Sequence, residues 1–307
     1  MTKGSNPLVS VLMNGYNGEK YLSESINSVI SQTYQNWELV FWDNQSTDNS
    51  AEIVKKHNDK RIKYYLSPVH TNLGMGRANA WKYLTGEFIA ILDVDDIWMP
   101  EKLERQLPLF NDPEVGIAIT NSIFFGINKN KVLYKKPPPT GWVFKNLIEH
   151  YYISLETVMF RKQFANELAL AFDPNFSHIS DMDLIIRLSR ISKLDYVNDI
   201  LAKCRIHEDQ DSWTHHKRYI DERVRFIQKL GNEIQNFEKE FAKEILYHRR
   251  SIIHTKAFYH LLKSKRLRVL QDIIQLKNWN WKSILLILMI ILPFPKKIIN
   301  FITSSKY

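Results

Sequence analysis

The chain reads as an α/β protein built on a doubly wound, mostly parallel sheet, with a helical extension at its C-terminal end. Three observations carry that expectation. Short apolar runs alternate with helix-patterned segments through the first third of the chain. Polar clusters rich in Asp and Asn follow the ends of those runs. Beyond His207 the pattern becomes mainly helical and closes on a basic segment.

The runs "LVSVLM" (Leu8–Met13), "WELVFW" (Trp37–Trp42), "RIKYYL" (Arg61–Leu66) and "FIAIL" (Phe88–Leu92) have the length and composition of strands. Between them lie Glu19–Gln32, Asp48–Lys56 and Gly76–Leu84, with apolar positions at helical spacing. Ser46, Thr47 and Asp48 offer capping groups to the second of these helices. Strict alternation of strand and helix implies parallel strands joined by right-handed crossovers. Such sheets bind ligands beyond the carboxyl ends of their strands. The motifs fall there: "NGYN" (Asn14–Asn17), "DNQSTD" (Asp43–Asp48) and "DVDD" (Asp93–Asp96).

The pattern then changes. "VGIAITNSIFFGINKNKVLYKK" reads as strands with a hairpin at Asn128–Asn130, and "ETVMF" as a further short strand. "SDMDLIIRLSR" is an amphipathic helix with Ser180 as its expected N-cap. A length of 307 residues fits two domains, divided here as 1–210 and 211–307. With 44% hydrophobic and 24% charged residues the composition is that of an ordinary globular protein. The single cysteine, Cys204, excludes an internal disulfide and reads as a small core residue. A polar start, "MTKGSNP", has no signal-peptide core, so the chain is expected in the cytoplasm.

The acidic stretch is the strongest local signal. Three carboxylates directly after a buried strand repel one another and resist leaving water. If the strand's alternation continues, Asp93 and Asp95 share a face while Val94 points to the core. Paired carboxylates of that kind suit a hard divalent cation, Mn²⁺ or Mg²⁺, with positions left for substrate phosphates. The competing reading has Asp96 capping the helix near Pro100 and the other two solvated.

The ordered set "VSVLMNGYN", "DNQSTDNS", "NLGMGRANA", "DVDD", "TVMFRK" and "SDMDLIIRL" resembles the family 2 glycosyltransferases, over roughly Leu8 to His207. The resemblance implies the GT-A nucleotide-sugar-binding fold, and an enzyme that moves one sugar from a nucleotide-sugar donor to a glycan or lipid-linked acceptor. Through it, Tyr16 would stack on or edge the nucleotide base and Asp43 would accept from a base N–H, consistent with uracil. Arg77 would approach the base or diphosphate. Asp93 would hold the ribose or the metal shell, and Asp95 the metal itself. Asp181 matches the general base, and His207 falls where some members place a further metal contact. Asn14-Gly15 stand where Pro-Thr is frequent, Asn44 replaces a second aspartate, and Ser180 replaces the usual Glu before the base. The Gln-x-x-Arg-Trp signature of processive synthases does not occur, so one sugar per encounter is expected. A sugar hydroxyl needs a carboxylate to take its proton, and a single base implies one displacement with inversion. A nucleotidyltransferase and an inactive sugar-nucleotide-binding module are the alternatives.

Charge is uneven. From Ile245 to Tyr307 twelve Lys and Arg face one acid, a net of +11, which leaves about −2 for the rest of a chain whose total is +9. No nucleic-acid recognition signature accompanies it. The run Ile284–Leu292 is nine residues long, about 14 Å as a helix, and too short for a bilayer core of about 30 Å. Trp279, Trp281, Lys282, Lys296 and Lys297 flank it. The segment therefore reads either as a buried helix or as a peripheral anchor on the inner face of the cytoplasmic membrane.

Overall fold

The computed structural model describes residues 6–126, 130–207, 216–263, 265–276, 284 and 287. They form two compact units. One runs to Phe144 and resumes over Tyr152–His207; the other joins Lys145–Tyr151 to the helices from His216 onward.

The first unit opens with β1 (Val9–Gly15), α1 (Leu22–Ile30), β2 (Trp37–Asp43), α2 (Ser50–Lys56), β3 (Ile62–Leu66), α3 (Leu73–Ala80) and β4 (Phe88–Ile91). The strands run parallel in the order β3-β2-β1-β4, as their alternation with helices predicts. Every residue of β2 is buried, the mark of a parallel strand covered on both faces. Helix α1 presents Leu22, Ile26 and Val29 to the core at one-face helical spacing.

The sheet then becomes mixed. It continues through β5 (Ile97–Trp98), α4 (Lys102–Gln106), β6 (Val115–Gly126), β7 (Lys131–Val132), β8 (Met159–Arg161), α6 (Lys162–Glu167, after a fifth helix at Phe144–Glu149), α7 (Ser180–Ile191) and β9 (Lys193–Ile206). Strand β8 lies antiparallel between β4 and β6, and β9 runs parallel to β6. The pair β5–β9 sets Ile97 opposite Lys203, which brings the end of β9 against the acidic turn. β7 pairs with β6 as a hairpin; its turn lies outside the described residues.

Four local expectations need correction. Strand β4 stops at Ile91, so Asp93–Asp96 lie in a turn, closed by Asp96 N–H donating to the Asp93 carbonyl at 3.3 Å. Strand alternation therefore does not orient the carboxylates; the turn does. Asp96 caps no helix, because its carboxylate faces inward and accepts from Arg205 N–H at 2.8 Å. Ser180 opens α7 without capping it, its hydroxyl being the acceptor for Arg77. The run "ETVMF" begins as a 3₁₀ turn, Leu155–Thr157, before β8. The N-cap of α2 is Asn49, without a side-chain cap bond; Asp48, just before it, accepts from Ser50 N–H at 3.0 Å.

The second unit is helical, with His216–Glu233, Phe237–Glu240, Ala242–Leu262 and Arg266–Ile274. Ala257 and Leu261 pack on Val269 and Ile273. Beside them His260 Nδ1 sits 2.6 Å from Asp272, which also pairs with Lys256 at 3.2 Å. No helix among the described residues is long and apolar enough to cross a membrane. The run Ile284–Leu292 and its flanking Trp and Lys residues lie outside the described residues, Ile284 and Ile287 excepted.

Candidate active site

The loops after β1 and β2 are laced together by side chains answering backbone donors. Asn17, at φ 52°, accepts from Thr47 N–H at 2.8 Å and donates its own N–H to Ser46 Oγ at 3.0 Å. Gly18 N–H donates to Ser50 Oγ and Glu19 N–H to Asp48, each at 2.9 Å. The left-handed backbone at Asn17 suits Asn, the non-glycine residue best able to adopt it.

Asp43 ends β2 fully buried. Its Oδ1 accepts from Ser46 N–H and its Oδ2 from the Tyr64 hydroxyl, both at 2.7 Å. Burial, with the Asp43 carboxylate as second cause, pushes the Tyr64 hydroxyl up, so it stays a donor. Each Asp43 oxygen keeps a second lone pair. Tyr16 is half exposed, and its ring stands 4.4 Å from that of His70 at 56°. His70 is held by Asn44, whose carbonyl lies 2.8 Å from Nδ1. Sequence reasoning missed His70 and Tyr64. His70 follows the carboxyl end of β3 in "PVHTN", the same place relative to its strand as the motifs that were found.

Arg77 joins the two halves of the site. Its guanidinium is 2% exposed; Nη2 pairs with Asp93 Oδ1 at 3.0 Å and Nη1 donates to Ser180 Oγ at 2.7 Å. Helix α3 can come that close because Gly74 has no side chain: a Cβ there would stand 1.8 Å from the Phe176 carbonyl oxygen. Asn72 Nδ2 donates across the same gap to the Pro174 carbonyl at 3.0 Å. The residue after Ser180 is Asp181, partly exposed at the start of α7. Asp183, two residues further along α7, is fully buried and accepts from Arg187 Nε at 3.0 Å, while Arg187 also binds the carbonyls of Leu170 and Ala171. The two acids of α7 are thus distinct: Asp183 anchors the helix, while the charge of Asp181 acts on Asp93.

That cluster is crowded with negative charge. Burial pushes Asp93 up to about 6; Arg77 opposes the shift, and the charges of Asp95 and Asp181 add to it. The three carboxylates therefore feel one another. Asp95 Oδ2 lies 2.9 Å from His207 Nε2, and the Nδ1 of that ring has no hydrogen-bond partner among the described residues. Two cis ligands about 2.1 Å from an octahedral ion stand about 3.0 Å apart. This O–N pair has that spacing, in a site whose excess negative charge a divalent cation would relieve. The residues fit the metal.

A second group of ligand types, Asp96, Glu156 and Cys204, gathers within 4.8 Å below the turn. It is a core network. Glu156 is committed to Ser122 at 2.7 Å and Ser154 at 2.6 Å, Asp96 to Arg205 N–H at 2.8 Å. Burial pushes the Cys204 thiol and the Asp96 carboxyl well up, so both favour their protonated forms, which are poor cation ligands. Cys204 is accordingly a core residue.

An acidic turn at the carboxyl edge of a parallel sheet, tied through Arg77 to the start of α7, gives a GT-A-like architecture. A model of the family described as "Glycosyl transferase family 2" matches residues 10–166, and the chain belongs to that family of enzymes. An Escherichia coli UDP-Glc:alpha-D-GlcNAc-diphosphoundecaprenol beta-1,3-glucosyltransferase, WfgD, is 32% identical over 207 residues, covering 67% of this chain and 79% of WfgD. Among solved structures, S. aureus TarS 1-349 superposes with a TM-score of 0.63 at 20% identity, over 87% of this chain and 80% of that one. Of the longer TarS chain this protein spans 43%. TarS 1-349 has also been solved in complex with UDP-GlcNAc, where the TM-score is 0.57 at 18% identity, over 80% of this chain and 81% of that one. The mannosyltransferase PcManGT of Pyrobaculum calidifontis, solved in complex with GDP-Man and Mn²⁺, gives a TM-score of 0.61 at 16% identity, over 82% of this chain and 72% of that one.

Proposed function

We propose that this enzyme transfers one sugar per encounter, with inversion, from a UDP-sugar to a hydroxyl of a lipid-linked glycan in cell-envelope polysaccharide synthesis, lipopolysaccharide included. The catalytic domain is assigned to 1–210, and the basic region 211–307 to attachment on the inner face of the cytoplasmic membrane. The observation that carries the reading is the Arg77 fork, which ties Asp93 on the donor side to Ser180, the neighbour of Asp181.

In this reading Tyr16 and His70 wall the base, and Asp43 accepts its N–H through a free lone pair. Asp93 holds the ribose or the metal shell, and Asp95 with His207 would hold Mn²⁺ or Mg²⁺. When bound, the cation supplies positive charge to the departing diphosphate. Asp181 takes the acceptor hydroxyl proton as oxygen attacks the anomeric carbon from the face opposite the leaving group. Arg77, locked at both ends, keeps the base helix in register with the acidic turn. A UDP-GlcNAc-bound structural neighbour and a relative named for a UDP-glucose donor and a diphosphoundecaprenol-linked acceptor support the donor and acceptor classes.

The test is a panel of nucleotide sugars with Mn²⁺ or Mg²⁺, reading released nucleoside diphosphate and, with a lipid-linked acceptor, the product's anomeric configuration. Release of UDP from one sugar with an inverted product supports the proposal. Retained configuration, or pyrophosphate formed from sugar phosphate and UTP, overturns it.

A further inference from the structure

Arg205 has no assigned part in the site, yet its contacts converge on the acidic turn. Its Nε donates to the Asp95 carbonyl at 2.9 Å, and its backbone N–H donates to Asp96 Oδ1 at 2.8 Å. Its Nη2 binds Glu24 on α1. The guanidinium lies between two rings, 4.3 Å from the Tyr21 centroid and 4.5 Å from that of Phe125. Only 13% of the side chain is exposed.

Two residues further along, His207 Nε2 reaches the carboxylate of the same Asp95 at 2.9 Å, and its ring stands 5.2 Å from Tyr21. Asp95 is therefore gripped twice, at its carbonyl by Arg205 and at its carboxylate by His207. A turn outside any strand has no ladder hydrogen bonds to fix it, so external donors must set its shape. The guanidinium fixes the backbone from which the Asp95 carboxylate reaches His207.

We infer that Arg205 is a positioning residue that tunes divalent-cation affinity, by fixing the Asp95 backbone so that its carboxylate and His207 Nε2 stay at ligand spacing. The inference rests on the proposed metal role of Asp95 and His207. Groups that orient a ligand typically change metal affinity about 10- to 100-fold when altered. Glu24 is the counter-ion that keeps Arg205 aimed, and Tyr21 and Phe125 restrict its plane.

The test measures Mn²⁺ binding to the full chain by electron paramagnetic resonance with UDP present, alongside UDP binding in EDTA and thermal melting. Arg205→Lys keeps the charge but loses the planar fork. It is expected to weaken Mn²⁺ binding about tenfold, with UDP binding in EDTA unchanged. Glu24→Gln, which leaves the Nε bond to Asp95 in place, should give a smaller loss in the same direction and covers the case in which Arg205→Lys does not fold. Unchanged Mn²⁺ affinity in whichever variants fold, with melting lowered, would make Arg205 purely structural and overturn the assignment. Loss of UDP affinity in EDTA would make it a nucleotide contact and overturn it equally. A wild-type chain that binds no divalent cation with UDP would refute the metal reading and this inference with it, and that result precedes any variant.

Discussion

The two edges of the β1–β2–β4 sheet hold carboxylates in opposite conditions. At the amino edge Glu38 is buried and saturated: Ser10 Oγ at 2.5 Å, Thr85 N–H at 2.6 Å, Thr85 Oγ1 at 2.8 Å and Lys63 Nζ at 2.6 Å all donate to it. Burial alone would raise its pKa, but Lys63 and the neutral donors outweigh it and hold the carboxyl below its ordinary value. At the carboxyl edge Asp93 has Arg77, but it also faces Asp95 and Asp181, and it is pushed up to about 6. One edge completes its charge from within the chain. The other is left short of positive charge, with the charges of Asp95 and Asp181 acting on Asp93 against the single guanidinium of Arg77. The difference separates an acid saturated by its own chain from acids that, in the proposed function, a cation and a donor would complete.

The largest effect should come from breaking the deficient edge. Asp95→Ala is expected to lower transfer about 10³-fold, with melting unchanged or raised because a repelling carboxylate has gone; excess EDTA should do the same to the parent. A fully active Asp95→Ala enzyme would erase the contrast. Breaking the saturated edge should act on stability instead. Glu38→Ala leaves buried donors unanswered and should cost about 3 kcal/mol in denaturant unfolding, while the folded fraction keeps its metal response. Next, Asp181→Asn should lower transfer about 10²-fold with donor affinity kept, whereas Asp183→Asn should lower the melting temperature by releasing Arg187.

The smallest effect lies in the helical unit and sharpens the comparison with a buried group that avoids charge altogether. His248 donates from Nδ1 to the Ile148 carbonyl at 2.9 Å, and its buried Nε2 has no partner among the described residues. Burial, reinforced by Arg223, pushes its pKa down to about 3. As pH falls through the ordinary histidine range the unfolded chain gains this proton and the folded chain does not, so stability falls with acid. Chemical denaturation at pH 7 and at pH 5 should show the parent losing about 2 kcal/mol more than His248→Gln. Equal losses would mean that His248 is charged in the fold.

The order of elements in the first half, and the placing of Tyr16, Asp43 and Asp93–Asp96 at one sheet edge, were legible because they depend on local periodicity. Apolar runs of strand length must be buried, and alternating helices force the strands parallel, so every motif after a strand arrives at the same edge. The direction of each side chain beyond the strand was not legible. Asp93 and Asp95 do not share a strand face, and neither Asp96 nor Ser180 caps a helix; a turn and two arginines decide otherwise. Arg205 gave no signal in the sequence, and Ser180 none of its bond to Arg77, because their partners lie far along the chain. By itself the sequence determined which carboxylates meet at the edge, since strand length and burial are local properties. Only the tertiary structure decided which of them is saturated and which is left short of charge, because that depends on donors brought from distant segments, and no local pattern encodes their arrival.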